Sequence, residues 1–105
     1  MGPRRTYRCC GYQQITSLSS STALTIPTVA PDGTSCKPNA VLLQVTAQNV
    51  RYRNDGVAPT STVGMVLYTA QPPTYYDGDL SQLLFIESSA SAVLNVTYYE
   101  DVNAT

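Results

Sequence analysis

The sequence predicts an all-β fold, an antiparallel β-sandwich or jelly-roll-like small barrel with an extended N-terminal arm. Three observations carry that prediction. Short apolar runs with period-two patterning recur about every 8–12 residues with turns between them, as in a sandwich or small barrel. No window holds an i, i+3, i+4, i+7 apolar stripe over three turns, so no helix of ordinary length is expected. Eight tyrosines in 105 residues, together with many Thr, Ser and Val, suit a pleated, half-buried surface. An open sheet would leave unpaired edges, which favours two sheets or a closed barrel. The length is that of one domain, burying somewhat over ~60% of its unfolded surface.

Residues 1–13 contain Gly2, Pro3 and Gly11, show no periodicity, and read as the arm; residues 14–105 read as a single β domain. Thr22 to Ile26 is a short strand ended by Pro27, which has no N–H for a ladder. Thr28 to Asn39 is a loop with a Pro31-Asp32-Gly33 turn. Ala40 to Ala47 forms the next strand, and Val50-Arg51-Tyr52-Arg53 alternates apolar against basic before an Asn54-Asp55-Gly56 turn. Val63 to Tyr68 follows, then Gln71-Pro72-Pro73 as a break and Tyr76-Asp77-Gly78-Asp79 as a turn. Leu83 to Glu87 is a nearly continuous apolar strand, and Ala92 to Tyr99 alternates again. The expected core is Leu43, Val45, Val50, Tyr52, Met65, Leu67, Leu84, Ile86, Leu94 and Val96.

Charged residues make up only 12% of the chain, about half the usual share, and a tyrosine-rich surface of low charge is one that meets other protein. Arg4, Arg5 and Arg8 stand in the arm, leaving Lys37, Arg51 and Arg53 against all seven acids in the body. A basic arm on an acidic body suits docking on an acidic neighbour. Three arginines are fewer than polybasic binding draws on, so no nucleic-acid partner is expected. Cys9, Cys10 and Cys36 give an odd count without CxxC spacing, which fits free thiols in a reducing cytoplasm; a bridge from Cys9 or Cys10 to Cys36 is the alternative. MGPRRTYRCCGYQQIT has no apolar stretch behind its basic residues and is not a signal peptide, and no apolar run reaches membrane-helix length.

Candidate chemistry is sparse. The chain has no His, hence no imidazole base for a Ser or Cys nucleophile and no imidazole metal ligand. Asp77 and Asp79 flank Gly78 as a self-capping turn, too few oxygens for a calcium loop. No catalytic residue, no cofactor and no metal are therefore expected. Arg51 and Arg53 either grip a neighbour's carboxylates or pair internally with Asp55 or Glu87. Tyr75-Tyr76 and Tyr98-Tyr99 read as strand tyrosines, half core and half rim, with a sugar-binding platform as the alternative. Partner contacts are expected at Arg4, Arg5, Tyr7, Arg8, Arg51 and Arg53.

VLLQVTAQNVRYRNDGVAPTSTVGMVLY, then YYDGDLSQLLFIE and AVLNVTYY, between Val41 and Tyr99, resemble small virion-associated proteins of tailed bacteriophages. QQITSLSSSTALTIP, Gln13 to Pro27, matches how such proteins begin; the Thr28–Asn39 loop and the Arg/Cys-rich arm depart from that layout. The resemblance implies a non-enzymatic structural protein in the virion, assembled in the host cytoplasm. A head decoration (cement) protein binding the major capsid protein or other virion subunits as many copies is the first expectation. A neck or tail accessory protein, meeting a host surface or glycan, is the second. No membrane partner is implied.

Overall fold

A computed structural model describes residues 6–101. Eight strands follow one another: β1 (Tyr7–Ile15), β2 (Thr22–Ala23), β3 (Ala40–Thr46), β4 (Val50–Arg53), β5 (Met65–Leu67), β6 (Thr74–Asp77), β7 (Leu84–Glu87) and β8 (Val93–Asp101). A single 3-10 turn, Leu80–Gln82, interrupts them. They form two four-stranded antiparallel sheets, ordered β1-β8-β3-β6 and β2-β7-β4-β5. Successive strands cross between the sheets except at β4–β5, which are neighbours.

The inner faces meet in one core. Leu43, Val45, Leu94, Val96 and Tyr98 come from the first sheet, and Val50, Leu67 and Phe85 from the second. Leu18, from the β1–β2 connection, and Leu83 are fully buried beside them. β-branched and γ-branched side chains at every second position let each strand present one apolar edge, and a two-sheet fold buries that edge twice over.

Three expectations are corrected. Residues 7–13 are no arm: they belong to β1, which pairs with β8 along its whole length, so the sheet begins at Tyr7 rather than Gln14. The pattern was hidden by a bulge. Cys9 and Gly11 face the consecutive residues Tyr99 and Tyr98, leaving Cys10 as the extra residue. Gly11 sits there at φ +150°, a conformation that side-chain-bearing residues rarely adopt.

Leu84 and Ile86 point outward and are only half-buried; Leu83 and Phe85 occupy the core instead. The run LLFI is apolar at both parities, so alternation cannot choose its face. Met65 is 65% exposed, because on the three-residue edge strand β5 the core reaches Leu67 but not Met65. Tyr52 is half-buried and packs on Phe85 with ring centroids 6.1 Å apart. A missed strand completes the list: Thr74–Asp77, read as part of a break and turn, pairs with β3 as the far edge of its sheet.

Segment 54–64 folds over the outer face of the second sheet. Arg51 holds it there, Nε donating to the Ser61 carbonyl at 3.0 Å and Nη1 to the Gly64 carbonyl at 2.9 Å. Pro59, within the segment, is buried. Gly64 is pressed so near β4 that a Cβ there would stand 3.1 Å from the Tyr52 carbonyl and 3.3 Å from Arg51 Cβ.

Candidate functional site

The arginines expected to grip a partner are engaged within the domain. Arg51 clamps the cover. Arg53 makes a two-point pair with Asp55, at 3.1 Å from Nε and 2.5 Å from Nη2, which holds the Asp55 carboxyl below its usual range. Within the domain the acid partner of Arg53 is Asp55 and not Glu87, while Arg51 meets backbone carbonyls. Arg8 reaches from β1 across the 28–39 loop. Its Nη1 donates to the Ser35 carbonyl at 3.1 Å and lies 3.5 Å from Glu100 Oε1, while its Nη2 meets the Thr34 hydroxyl. Asp32, 3.9 Å from the same guanidinium, accepts from the Thr34 hydroxyl and backbone N–H. Those hydrogen bonds, chiefly the hydroxyl's, lower its pKa. Arg4 and Arg5 lie outside the described residues.

The 28–39 loop is itself a small ordered hairpin, with Val29 bridged to Ser35 and Cys36 N–H bonded to the Thr28 carbonyl at 3.0 Å. Cys10, turned inward by the bulge, forms a disulfide with Cys36, Cα atoms 6.0 Å apart, and Cys9 is left exposed. The alternative pairing therefore replaces three free thiols. Glu100 Oε1 stands 3.6 Å from Cys36 Sγ. Cys10, Cys36 and Glu100 are the one group of metal-ligand type among the described residues, and two of its three donors are bonded to each other. Asp79 caps the 3-10 turn, accepting from Ser81 N–H at 3.0 Å and from its hydroxyl at 2.5 Å, as a self-capping turn residue should.

What remains open is the outer face of the β1-β8-β3-β6 sheet. Cross-strand register sets Tyr12, Thr97, Leu42 and Tyr75 in one row across it. Beyond one end of that row Tyr7, Tyr75 and Tyr99 cluster edge to face, Tyr7 lying 5.8 Å from Tyr75 and 6.3 Å from Tyr99. The Tyr75 hydroxyl donates to that of Tyr7 at 2.7 Å. Beside that row, two residues along the strands, Gln14, Asn95 and Gln44 form a parallel row that supplies amides. Each tyrosine pair is split, as half core and half rim requires: Tyr75 and Tyr99 face out, Tyr76 and Tyr98 in. Tyr98 is wholly buried, its hydroxyl donates to Gln13 Oε1 at 2.5 Å, and desolvation pushes its pKa up to about 12.

Sequence reasoning read Tyr7 as part of an arm meeting a partner, and it missed Tyr12, Leu42, Gln44, Asn95 and Thr97. The alternation of β8 already set Asn95, Thr97 and Tyr99 on one side; what was lacking was β1 as a partner strand. No protein-family model, no curated protein and no solved structure matches the chain.

Proposed function

We propose that the chain is a non-enzymatic structural protein of a tailed-bacteriophage particle, a head decoration or cement protein present as many copies that bind capsid subunits. The observation that carries this reading is the strand order, β1-β8-β3-β6 against β2-β7-β4-β5. We read that order as an eight-stranded jelly roll of two Greek keys, an architecture recurrent in viral capsid and lectin domains. The resemblance of Val41–Tyr99 to small virion-associated phage proteins supports it from the sequence side. A tyrosine-bearing sheet face supports it from the surface side, since interfaces favour tyrosine.

The revised placement of residues changes where attachment is sought. Arg8, Arg51 and Arg53 make contacts within the domain, which leaves Tyr7, exposed in the cluster with Tyr75 and Tyr99, as the expected partner contact to test first. Quantitative mass spectrometry of purified particles carrying the chain tests the reading. Copies on the order of hundreds per particle are expected for a head component. A single ring's worth would move the protein to the neck or tail, and its absence from washed particles would overturn the virion assignment.

A further inference from the structure

Tyr12 is 62% exposed, yet its hydroxyl is tethered, donating to Asn95 Oδ1 at 2.5 Å. Gln14 Nε2 donates to the same oxygen at 3.2 Å. Two donors on one carbonyl fix the orientation of the Asn95 amide and turn its own N–H pair toward other acceptors. The Tyr12 ring is thus held in place on the surface while contributing nothing to the core.

Two depressions share Tyr12 in their linings. One, of about 260 Å³ on the outer face, is lined by Leu42, Gln44, Asn95 and Thr97 with Pro73 as a wall. The other, of about 400 Å³ at the β1 edge, runs past Cys10, Gly11, Gln13 and Tyr98 to Pro27, Val29 and Pro31. Neither lining contains an Asp, Glu, Lys or Arg, although the chain has seven acids and six bases.

We propose that the outer face and the adjoining β1 edge bind a neutral oligosaccharide laid across Tyr12, with consecutive sugar units in the two depressions. The chemistry selects that class. The negative π face of an aromatic ring attracts the C–H faces of a pyranose, and proline and leucine walls accept its apolar side. Amide and hydroxyl groups at Gln44, Asn95 and Thr97 supply both donors and acceptors for sugar hydroxyls. An anionic glycan or a nucleic-acid backbone would meet no cation in either lining, on a body whose net charge is negative. A helical peptide would need a continuous apolar stripe, whereas here polar side chains alternate with apolar ones across the strands. The inference goes beyond the structural role proposed above and does not depend on it.

The test is an amide-resolved NMR titration of the ¹⁵N-labelled full chain with maltoheptaose, cellohexaose and chitopentaose, with sialyllactose as the anionic comparison. Saturable shifts with at least one neutral sugar are expected at Gln14, Gln44 and Asn95. Tyr12→Ala should weaken that complex by about tenfold, as loss of a stacking contact implies. Asn95→Asp, which keeps the shape but removes the amide donors, should weaken it likewise. Tyr68→Ala removes an equally exposed tyrosine, 60% accessible, from beyond β5 and should leave binding unchanged. The spectra themselves report whether each variant is folded. The proposal is overturned by the absence of saturable shifts with every neutral sugar, or by equal shifts with sialyllactose. It is overturned also by unchanged affinity in both folded variants, or by shifts that track protein concentration alone and so mark self-association.

Discussion

The two sheets of this protein treat their outer faces in opposite ways. Over β2-β7-β4-β5, segment 54–64 is drawn down by Arg51, and the outward residues Leu84 and Ile86 are apolar and half-buried. Over β1-β8-β3-β6, Tyr12, Gln44 and Tyr75 stand open to solvent, with Leu42, Asn95, Thr97 and Tyr99 half-buried among them. The covered sheet uses apolar residues on both sides of a strand, as in the continuous Leu83–Ile86 run that leads into and through β7. The open face alternates, so β8 shows Asn95, Thr97 and Tyr99 outward against Leu94, Val96 and Tyr98 inward. A sheet covered on both faces contributes stability, whereas a sheet left bare on one face is available for recognition.

The largest effects should separate the two sides of β7. Phe85→Ala, at the centre of the core and against Tyr52, should cost about 3–5 kcal/mol, and Leu83→Ala about 2–5 kcal/mol. Leu84→Ala, pointing outward rather than between the sheets, should cost clearly less than Leu83→Ala. Urea denaturation of the three variants measures this. Equal losses at Leu83 and Leu84 would show that the strand's facing has been assigned wrongly.

That parity is the point at which the sequence ran out. Period two set the facing of β3 and β8 correctly, because polar residues at alternate positions left one apolar face. It failed at β7, where both faces are apolar, and at β1, where the Cys9–Gly11 bulge breaks the period and Arg and Cys occupy positions usually apolar. β6 was lost for a different reason: Thr74-Tyr75-Tyr76-Asp77 lies between Pro73 and Gly78, and turn residues on both sides hid a four-residue strand. With β1 and β6 unread, two of the four strands of the open sheet were missing, and with them most of the residues that line its face. Arg51 and Arg53 were visible as a pair, but alternation alone cannot say whether a basic strand face meets solvent or a folded-back loop.

The Cys10–Cys36 bridge fastens the 28–39 hairpin to the edge strand of the open sheet across 26 residues. Closing a loop of that size should contribute about 2–4 kcal/mol, through the unfolded chain in the loop-entropy account. Cys36→Ser should lower the denaturation midpoint accordingly, reductant should lower it in the parent protein but not in that variant, and Cys9→Ser should change neither. A parent protein whose stability ignores reductant would remove the bridge from the fold's support.

On the covered side, Arg51→Met keeps the aliphatic stem but removes both guanidinium bonds to the 54–64 carbonyls. Hydrogen bonds from a charged donor are each worth more than neutral ones, so a loss of about 1–3 kcal/mol is expected. The more telling readout is limited proteolysis, in which cleavage should become fast within 54–64 while β3 and β8 stay protected. Protection of the segment in the variant would mean that Pro59 and the close Gly64 contact hold the cover without Arg51.

The smallest effect belongs to the open face, and its smallness is the prediction. Tyr12 contacts solvent over most of its surface, and Thr97 sits beside it in mid-sheet without a side-chain role in the core. Tyr12→Ala gives up its hydroxyl contact with Asn95, but the Asn95 carbonyl retains Gln14 as a donor and reaches water, so no buried polar group is orphaned. Substitutions of this kind usually fall within about 0.5 kcal/mol of the parent. Tyr12→Ala and Thr97→Val should therefore leave the urea midpoint close to that of the parent chain, while the same positions govern whatever the face binds. A destabilisation comparable to that of Arg51→Met would mean that the face is packed against the domain's own chain, and the contrast between a covered sheet and a recognising one would collapse. If stability is unchanged, a bulky, fixed and accessible aromatic at Tyr12 has no part in holding the fold together, and the use that remains for it is contact with another molecule.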